Sequence, residues 1–586
     1  MSDRESSTAA AWHKNFRLES WSLPVWAAEQ PERCLVVGTA PGTPQLFRWD
    51  QRAGSPPEQL TNAQEGVRHA CLDPQGRLAW WFSHPGDELG VWRAADYETG
   101  RPATTGCETV KAGRDSGLVL TNEVTVVALS RGRTTTLYRV DSDHTWHVIG
   151  RRDHLARLSP GAVEGRFCLT EFADDGRVAA LEVLDPDGQT LARLAAGADG
   201  DTSCMAWRPG TGQLLVRNRR GGHHELSLWD PETDDRLVLP VRQRGDLAAS
   251  WYPSGSHLLI RAAHEGQSLL GKYNVLTGES VPVGPRTGTI DTAAVRPDGA
   301  VWYRWSSAST PPQISADGGQ TLLKSRQSGH AAVGGLERLS VRTPHGDVPV
   351  LCLSPEGTPP FATVFLLHGG PALHDRDEWN PVAASFLGAG WAVAQVNYRG
   401  STGFGQPWMD AALRDPGHAE LADIAEVRLE LIMSGRADAT RLVVCGSSWG
   451  GYLALLALGV QPDAWSGAIA EAPIADYATA YEEELEAAKA FDRYLFGGSP
   501  SEVPDRYHRA SPLSYASLVQ VPVLVIAGRN DPGCTVGQVR NYVGALRSRD
   551  HPVEYHECDM GHGTPVVAEK VEHQALIFSF LSRWVG

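Results

Sequence analysis

From about residue 30 to residue 330 the chain alternates between short apolar runs and clusters of turn-forming residues. Residues 34–38, 78–83, 214–217, 258–261 and 301–305 are rich in aliphatic or aromatic side chains, and Gly, Pro, Asp and Asn separate them. Runs of this length and content predict β-strands. The punctuation recurs at a near-constant distance. Asp73-Pro74-Gln75-Gly76, Ser159-Pro160, Arg208-Pro209-Gly210, Tyr252-Pro253-Ser254-Gly255 and Arg296-Pro297-Asp298-Gly299 each precede a predicted strand. Pro209 and Pro253 are 44 residues apart, as are Pro253 and Pro297. Pro74 and Pro160 are 86 apart, twice 43, with one proline-free unit between them near residues 117–130. A period in the forties with several strands per unit is the mark of propeller blades. Six units follow from these anchors. A seventh is expected where the first hairpin, residues 34–49, closes against strands near residues 310–330. A large β-sandwich with coincidental turn spacing is the competing reading.

From about residue 340 the rhythm changes. Residues 362–367, 392–397, 441–445, 467–470 and 522–527 are near-continuous apolar runs, as expected of parallel strands covered on both faces. Helical patterns lie between them, for example over residues 420–434 and 535–549. This βαβ series predicts a doubly wound, mostly parallel sheet. The fold expected is therefore an all-β propeller over residues 26–334 and an α/β domain over residues 335–586. The passage between them falls near residues 318–335.

Composition narrows the function classes. At 586 residues the chain is too long for one hydrophobic core. A hydrophobic fraction of 42% and a charged fraction of 21% describe an ordinary globular chain. The net charge of −16 argues against nucleic acid and anionic membrane as partners. Residues 1–17 lack the apolar core of a secretory signal, and no apolar run of about 18 residues predicts a membrane span. Nine cysteines, scattered without CxxC pairs, read as reduced thiols in a cytoplasm.

Three late motifs carry the candidate chemistry: Gly446-Ser447-Ser448-Trp449-Gly450, Gly528-Arg529-Asn530-Asp531 and Gly561-His562-Gly563. The order Ser, Asp, His is that of the α/β-hydrolase fold. Gly446-x-Ser448-x-Gly450 follows the strand at 441–445 and opens a helix at 452–458. A strand-to-helix elbow needs small neighbours because its nucleophile sits in a strained, closely packed backbone, and Gly446, Gly450 and Gly451 supply the room. Ser448 is thus the candidate nucleophile, with Ser447 in the variable position. His562 follows the strand at 553–556 and can serve as its base. Asp531 follows the strand at 522–527 and can hold the imidazole in the right tautomer. His368-Gly369-Gly370-Pro371 follows the strand at 362–367. The amides of Gly370 and of Trp449 are the candidate donors to the oxyanion of a tetrahedral intermediate.

Three other clusters carry weaker signals. His556-x-Cys558-x-x-x-His562 has the residue types of a zinc site but no second ligand cluster, so no metal and no cofactor is expected. His223-His224-Glu225 reads as a solvated turn between blade strands. Tyr481-Glu482-Glu483-Glu484 could bind a substrate's amino group. It reads more simply as a solvated face at the start of a helix, where acids are favoured.

The strings His368-Gly-Gly-Pro371, Asn397-Tyr-Arg-Gly-Ser-Thr-Gly-Phe-Gly405, Gly446-Ser-Ser-Trp-Gly-Gly-Tyr452, Asn530-Asp531 and Gly561-His562, placed after a propeller, resemble the prolyl oligopeptidase family of serine peptidases, and most its acylaminoacyl-peptidase branch. The resemblance implies that residues 1–25 pack on the hydrolase domain and that the propeller lids the active site. It also implies that the substrates are short peptides or aminoacyl amides. Two positions depart from the branch: Gly533 stands where an arginine is common, and Trp449 replaces the usual tyrosine after the nucleophile. By position, Trp449 and Tyr477 would line the pocket for the acyl side chain.

The function expected is a cytoplasmic serine hydrolase that cleaves short peptides or aminoacyl amides through an acyl-enzyme. The alternative is an esterase or a small-metabolite amide hydrolase on the same scaffold. A non-catalytic interaction protein is a third reading, disfavoured by the complete set of triad residues. Self-association is left open by the sequence.

Overall fold

The computed structural model describes residues 12–586 apart from 41, 53, 68, 85–88, 104–105, 174–175, 198–201, 221–222, 243–244, 327–333 and 414. The chain divides into two compact units. One holds residues 19–305 and 312–325; the other holds residues 12–18, 306–311 and the described part of 326–586. The passage expected at residues 318–335 lies partly outside the described residues.

The first unit is a seven-bladed β-propeller. Seven four-stranded antiparallel sheets cover residues 25–59, 70–103, 114–152, 156–195, 202–238, 246–283 and 289–324. The proline-glycine turns lie between the first and second strands of their blades. In three of them the glycine amide closes the turn on the residue three back: Gly76 to Asp73, Gly255 to Tyr252 and Gly299 to Arg296, each at 2.9 Å. Each of these glycines has a positive φ, between +65° and +88°, which explains the residue type.

Three expectations need correction here. Ser159-Pro160 is not in a turn but inside the strand Ala156–Val163, where the pairing register shifts between Leu158 and Ala162. Proline lacks the N–H that a regular ladder would use, so a bulge tolerates it. The first hairpin does not share a sheet with residues 310–324; each terminal blade is complete in itself. The two blades meet by packing of Trp21, Val36, Phe47, Trp302 and Ile314, with the Arg296 guanidinium donating to Gln51 Oε1 at 2.8 Å and to the Pro31 carbonyl at 3.0 Å. His224 is not in a solvated turn. It lies in the strand His223–Trp229, its side chain is 4% exposed, and its Nδ1 accepts from the Leu247 amide at 3.1 Å.

The second unit is built on one eight-stranded sheet. Its strands are β1 Gly335–Thr343, β2 Gly346–Ser354, β3 Phe361–Leu367, β4 Ala392–Val396, β5 Ala437–Ser447, β6 Gly467–Glu471, β7 Val523–Gly528 and β8 Val553–Cys558. Their order is β1-β2-β4-β3-β5-β6-β7-β8. β1 and β2 form a hairpin and β2 runs antiparallel to β4, while the later pairs are parallel. Eight helices matter to the site or the core: α1 Pro381–Gly388, α2 His418–Met433, α3 Trp449–Val460, α4 Tyr477–Glu483, α5 Glu486–Phe496, α6 Pro504–Ala510, α7 Val536–Arg547 and α8 Val567–Trp584.

The central strands are buried on both faces, and successive residues serve different cores. Val444, Ala468 and Val525 face a core shared with α2, α3 and α7. Cys445, Ile469 and Ile526 face the other core, shared with α1 and α8. The helical turn His13–Phe16 belongs to this unit, where the Trp12 ring meets Phe578 edge-on at 5.2 Å. No helix among the described residues is long and apolar enough to cross a membrane.

Candidate active site

The elbow forms where β5 turns into α3. Ser448 has φ +57° and ψ −120°, a conformation rare for a residue with a β-carbon. It is held from two sides: the Ser448 amide donates to the Glu471 carbonyl at 2.9 Å, and the Ser448 carbonyl accepts from the Tyr452 amide at 2.9 Å. The flanking glycines are steric requirements. A β-carbon on Gly446 would lie 2.4 Å from the Gly450 carbonyl carbon, and one on Gly450 would lie 2.1 Å from the Leu367 carbonyl oxygen.

Three side chains distant in sequence meet at this elbow. Ser448 Oγ is 2.9 Å from His562 Nε2, and His562 Nδ1 is 2.7 Å from Asp531 Oδ2. The Asp531 side chain is fully buried, whereas that of His562 is 40% exposed. Asp531 Oδ1 accepts from the amides of Gly533 at 2.9 Å and Cys534 at 2.8 Å. Those two amides fix the carboxylate so that its other oxygen faces the imidazole. Gly533, the position that departs from the acylaminoacyl branch, thus serves the aspartate through its main chain.

Cys534 was not foreseen. Its thiol is buried against the elbow, and burial, reinforced by the charges of Asp531 and Glu484, pushes its pKa well up; a hydrogen bond to the Ser448 hydroxyl partly opposes this. Asp531, Cys534 and His562 bring one ligand atom each within 4.8 Å of one another. This is not the His556-Cys558-His562 set considered for zinc, since Cys558 Sγ lies instead 3.6 Å from His573 Nε2. A metal at Asp531 and His562 would take the atoms that already form the serine relay.

The loop after β3 approaches the elbow through Gly369. A β-carbon there would sit 3.6 Å from Ser448 Cβ and 3.4 Å from the Ser447 carbonyl oxygen. Gly370, the candidate donor, follows with φ +122°, where a β-carbon would crowd the Ala372 amide at 2.6 Å. Trp449 is the first residue of α3, and helix geometry leaves its amide without an intrahelical acceptor. His368 braces the loop. Its ring stacks on Tyr398 at 4.2 Å, its Nε2 lies 2.9 Å from Ser401 Oγ, and the Tyr398 hydroxyl donates to the His368 carbonyl at 2.7 Å. Burial lowers the His368 pKa to about 4, so the ring is a neutral support near pH 7.

The stretch from Asn397 to Gly405 is pinned by Arg399. Its amide donates to Asp423 Oδ2 at 2.8 Å and its Nη2 lies 2.9 Å from Asp423 Oδ1.

Trp449 and Tyr477 are 2% and 1% exposed. Both pack on the Tyr452 ring, at 5.0 Å and 5.2 Å between centroids. The glutamates at 482–484 are not at the start of a helix. Glu483 ends α4 and Glu484 caps it; Glu482 and Glu483 are exposed, but Glu484 is buried.

The arrangement can transfer an acyl group. A hydroxyl at a helix N-terminus, an imidazole beside it and a buried carboxylate behind the imidazole are the parts that such a reaction needs.

Residues 379–586 match the model of the prolyl oligopeptidase family. Dipeptidyl peptidase family member 6 of Caenorhabditis elegans is 29% identical over 253 residues, which are 42% of this chain and 34% of that protein. The acylamino-acid-releasing enzyme of Sus scrofa is 27% identical over 349 residues, 56% of this chain and 45% of that one. The chain thus spans less than half the length of these curated relatives. Among solved structures, the acylaminoacyl peptidase of Pyrococcus horikoshii superposes with a TM-score of 0.78 at 15% identity, over 98% of this chain and 97% of its own. A puromycin-hydrolyzing peptidase of Mycobacterium tuberculosis superposes with a TM-score of 0.82 at 20% identity, over 98% and 96%. At such identities the two structures share the fold.

Proposed function

Residues 379–586 carry a prolyl oligopeptidase family domain, and from that premise we propose that this protein is a serine hydrolase that cleaves short peptides or aminoacyl amides through an acyl-enzyme. The single observation that carries the reading is the relay from Ser448 through His562 to Asp531, at 2.9 Å and 2.7 Å.

In this mechanism Ser448 Oγ attacks the carbonyl carbon of the substrate while His562 Nε2 takes the hydroxyl proton. Asp531 accepts from the Nδ1–H of His562, holds the tautomer and stabilises the imidazolium. The amides of Trp449 and Gly370 receive the oxyanion, each such donor contributing about 3–4 kcal/mol to the transition state. His562 then gives its proton to the leaving amine, and water, activated by the same imidazole, releases the acyl group. Trp449 and Tyr477, 2% and 1% exposed, pack behind the elbow and support it through the Tyr452 ring. The enzyme is assigned to the cytoplasm, an assignment supported by nine cysteines of which none forms a disulfide.

The test is a panel of free and N-acetylated aminoacyl anilides, a proline-containing anilide and simple aryl esters. The reading expects anilide turnover that disappears in Ser448→Ala. Turnover confined to the esters would replace it with the esterase reading, and equal turnover by wild type and variant would place the chemistry elsewhere.

A further inference from the structure

The face of the sheet that packs on α1 and α8 is not filled near the elbow. A cavity of about 450 Å³ opens there, and all of its wall belongs to the hydrolase unit. That volume is in the range of pockets that hold small organic molecules. Leu366, Ile469 and Ile577 supply apolar wall, and Phe16 of the first helical turn adds an aromatic one. His562, Gly563 and Ser447 also line the cavity, whereas Ser448 and Asp531 do not. The space therefore reaches the catalytic imidazole from a side away from the nucleophile.

The polar groups of the wall are mostly donors. Gln574 is 2% exposed, and its Nε2 has no hydrogen-bond partner among the described residues. Asp375 Oδ2 is buried and equally unpartnered, while its Oδ1 accepts from Gln395 Nε2 at 3.1 Å. Buried polar atoms are almost always paired, so two unpaired ones on one cavity wall point to an occupant. Burial pushes the Asp375 pKa up to about 8, with the charge of Glu378 adding and Arg376 and Gln395 opposing. Near pH 7 this carboxyl holds a proton and is a third donor. Lys570 precedes Gln574 by one turn of α8, so both lie on one helix face, and Lys570 too lines the cavity. No carboxylate among the described residues pairs with its ammonium. Glu471, the acid whose charge acts on it, is engaged by His573 Nδ1 at 2.7 Å.

We propose that this cavity is a second binding site, for a small carboxylic acid with an apolar body, and that its occupation slows the enzyme from behind His562. The carboxylate accepts from the Lys570 ammonium and from Gln574 Nε2, and the body lies on Leu366, Ile469 and Ile577. A carboxylate has only acceptors to offer, which is what a wall of donors requires. An amine of the same length would meet the Lys570 charge, and an alcohol would leave that charge unpaired. Lodged against His562 and Gly563, the ligand hinders the turn of the imidazole from Ser448 Oγ to the leaving amine. Binding stands apart from the serine-hydrolase reading; only the effect on rate rests on it.

Calorimetric titration of the full-length protein with octanoate tests the site, with octanol and octylammonium as controls of equal length. One octanoate per chain is expected, bound about tenfold tighter than either control or better. Lys570→Met and Gln574→Leu are each expected to weaken octanoate by about tenfold or more, the loss of a hydrogen bond to a charged group. Lys570 is an exposed residue, so its variant keeps the test available even where the buried Gln574→Leu fails to fold. With an anilide substrate, octanoate is expected to lower kcat about twofold or more and to leave KM in place. A rise confined to KM would put octanoate in the substrate site and overturn the proposal. No binding at millimolar octanoate, equal binding of octanol, or an affinity that Lys570→Met leaves unchanged would overturn it too. Binding that leaves kcat unchanged overturns the link to His562. Octanoate bound as expected by a protein that turns over no anilide or ester overturns the hydrolase reading and leaves the site standing.

Discussion

The α-carbon of Gly450 faces the main-chain carbonyl of Leu367 so closely that a β-carbon would come within 2.1 Å of its oxygen. The obstacle is backbone in the middle of the sheet, which has no rotamer to change. Gly450→Ala is therefore expected to destabilise the hydrolase unit by about 3 kcal/mol, read as a lower denaturant midpoint, together with a loss of activity from the displaced elbow. Full stability and activity in this variant would contradict the packing described for α3.

Asp531 keeps one oxygen on the amides of Gly533 and Cys534 and turns the other to His562. Asp531→Asn is close in shape, and its amide oxygen can still accept from one pair of donors, but it offers the wrong group to the His562 Nδ1–H. A fall in kcat of about 10⁴ with little change in KM is expected, as for other triads that lose the tautomer-holding carboxylate. Steady-state kinetics check this; a change confined to KM would show that the residue acts on binding.

Glu420 gives the fold a pH dependence. It is fully buried near the N-terminus of α2, with Oε2 accepting from the Gly417 amide at 2.8 Å. Burial raises its pKa to about 8, with the charge of Asp423 adding and that of Arg399 opposing. The folded state thus binds this proton more tightly than the unfolded chain, whose value is near 4.5. Its stabilising contribution is full below about pH 4.5 and is lost as pH rises through about 8. Denaturant midpoints of the wild type are expected to fall between pH 5 and pH 8 more steeply than those of Glu420→Gln, whose side chain does not ionise. Identical slopes would remove Glu420 from the account.

Much of this architecture is written locally in the chain. The Pro-x-Gly turns of the blades announce themselves because a positive φ and a fixed φ restrict the residue type, and the elbow does so because Gly446 and Gly450 have no room for a β-carbon. Ser159-Pro160 misleads for the same reason, since proline marks a bulge as readily as a turn. The hairpin β1–β2 escapes the βαβ rhythm because Glu337, Arg338, Ser340 and Arg342 leave β1 without an apolar run. His224 looks polar in sequence and is buried through a partner, Leu247, that only the fold supplies. Glu484 is the sharpest case. It reads as one of three solvated acids until α5 brings Asp492 beside it. Cys534 likewise becomes notable only when the Asp531 loop folds its thiol against Ser448.

The most direct measurement is the intact mass of the full-length enzyme after exposure to a fluorophosphonate, alongside anilide turnover, for the wild type and Ser448→Ala. The account predicts a single adduct on the wild type, placed on Ser448 by peptide mapping. It also predicts no adduct on the variant and a fall in turnover of about 10⁶. An adduct that persists in Ser448→Ala, or turnover there within tenfold of the wild type, would contradict it.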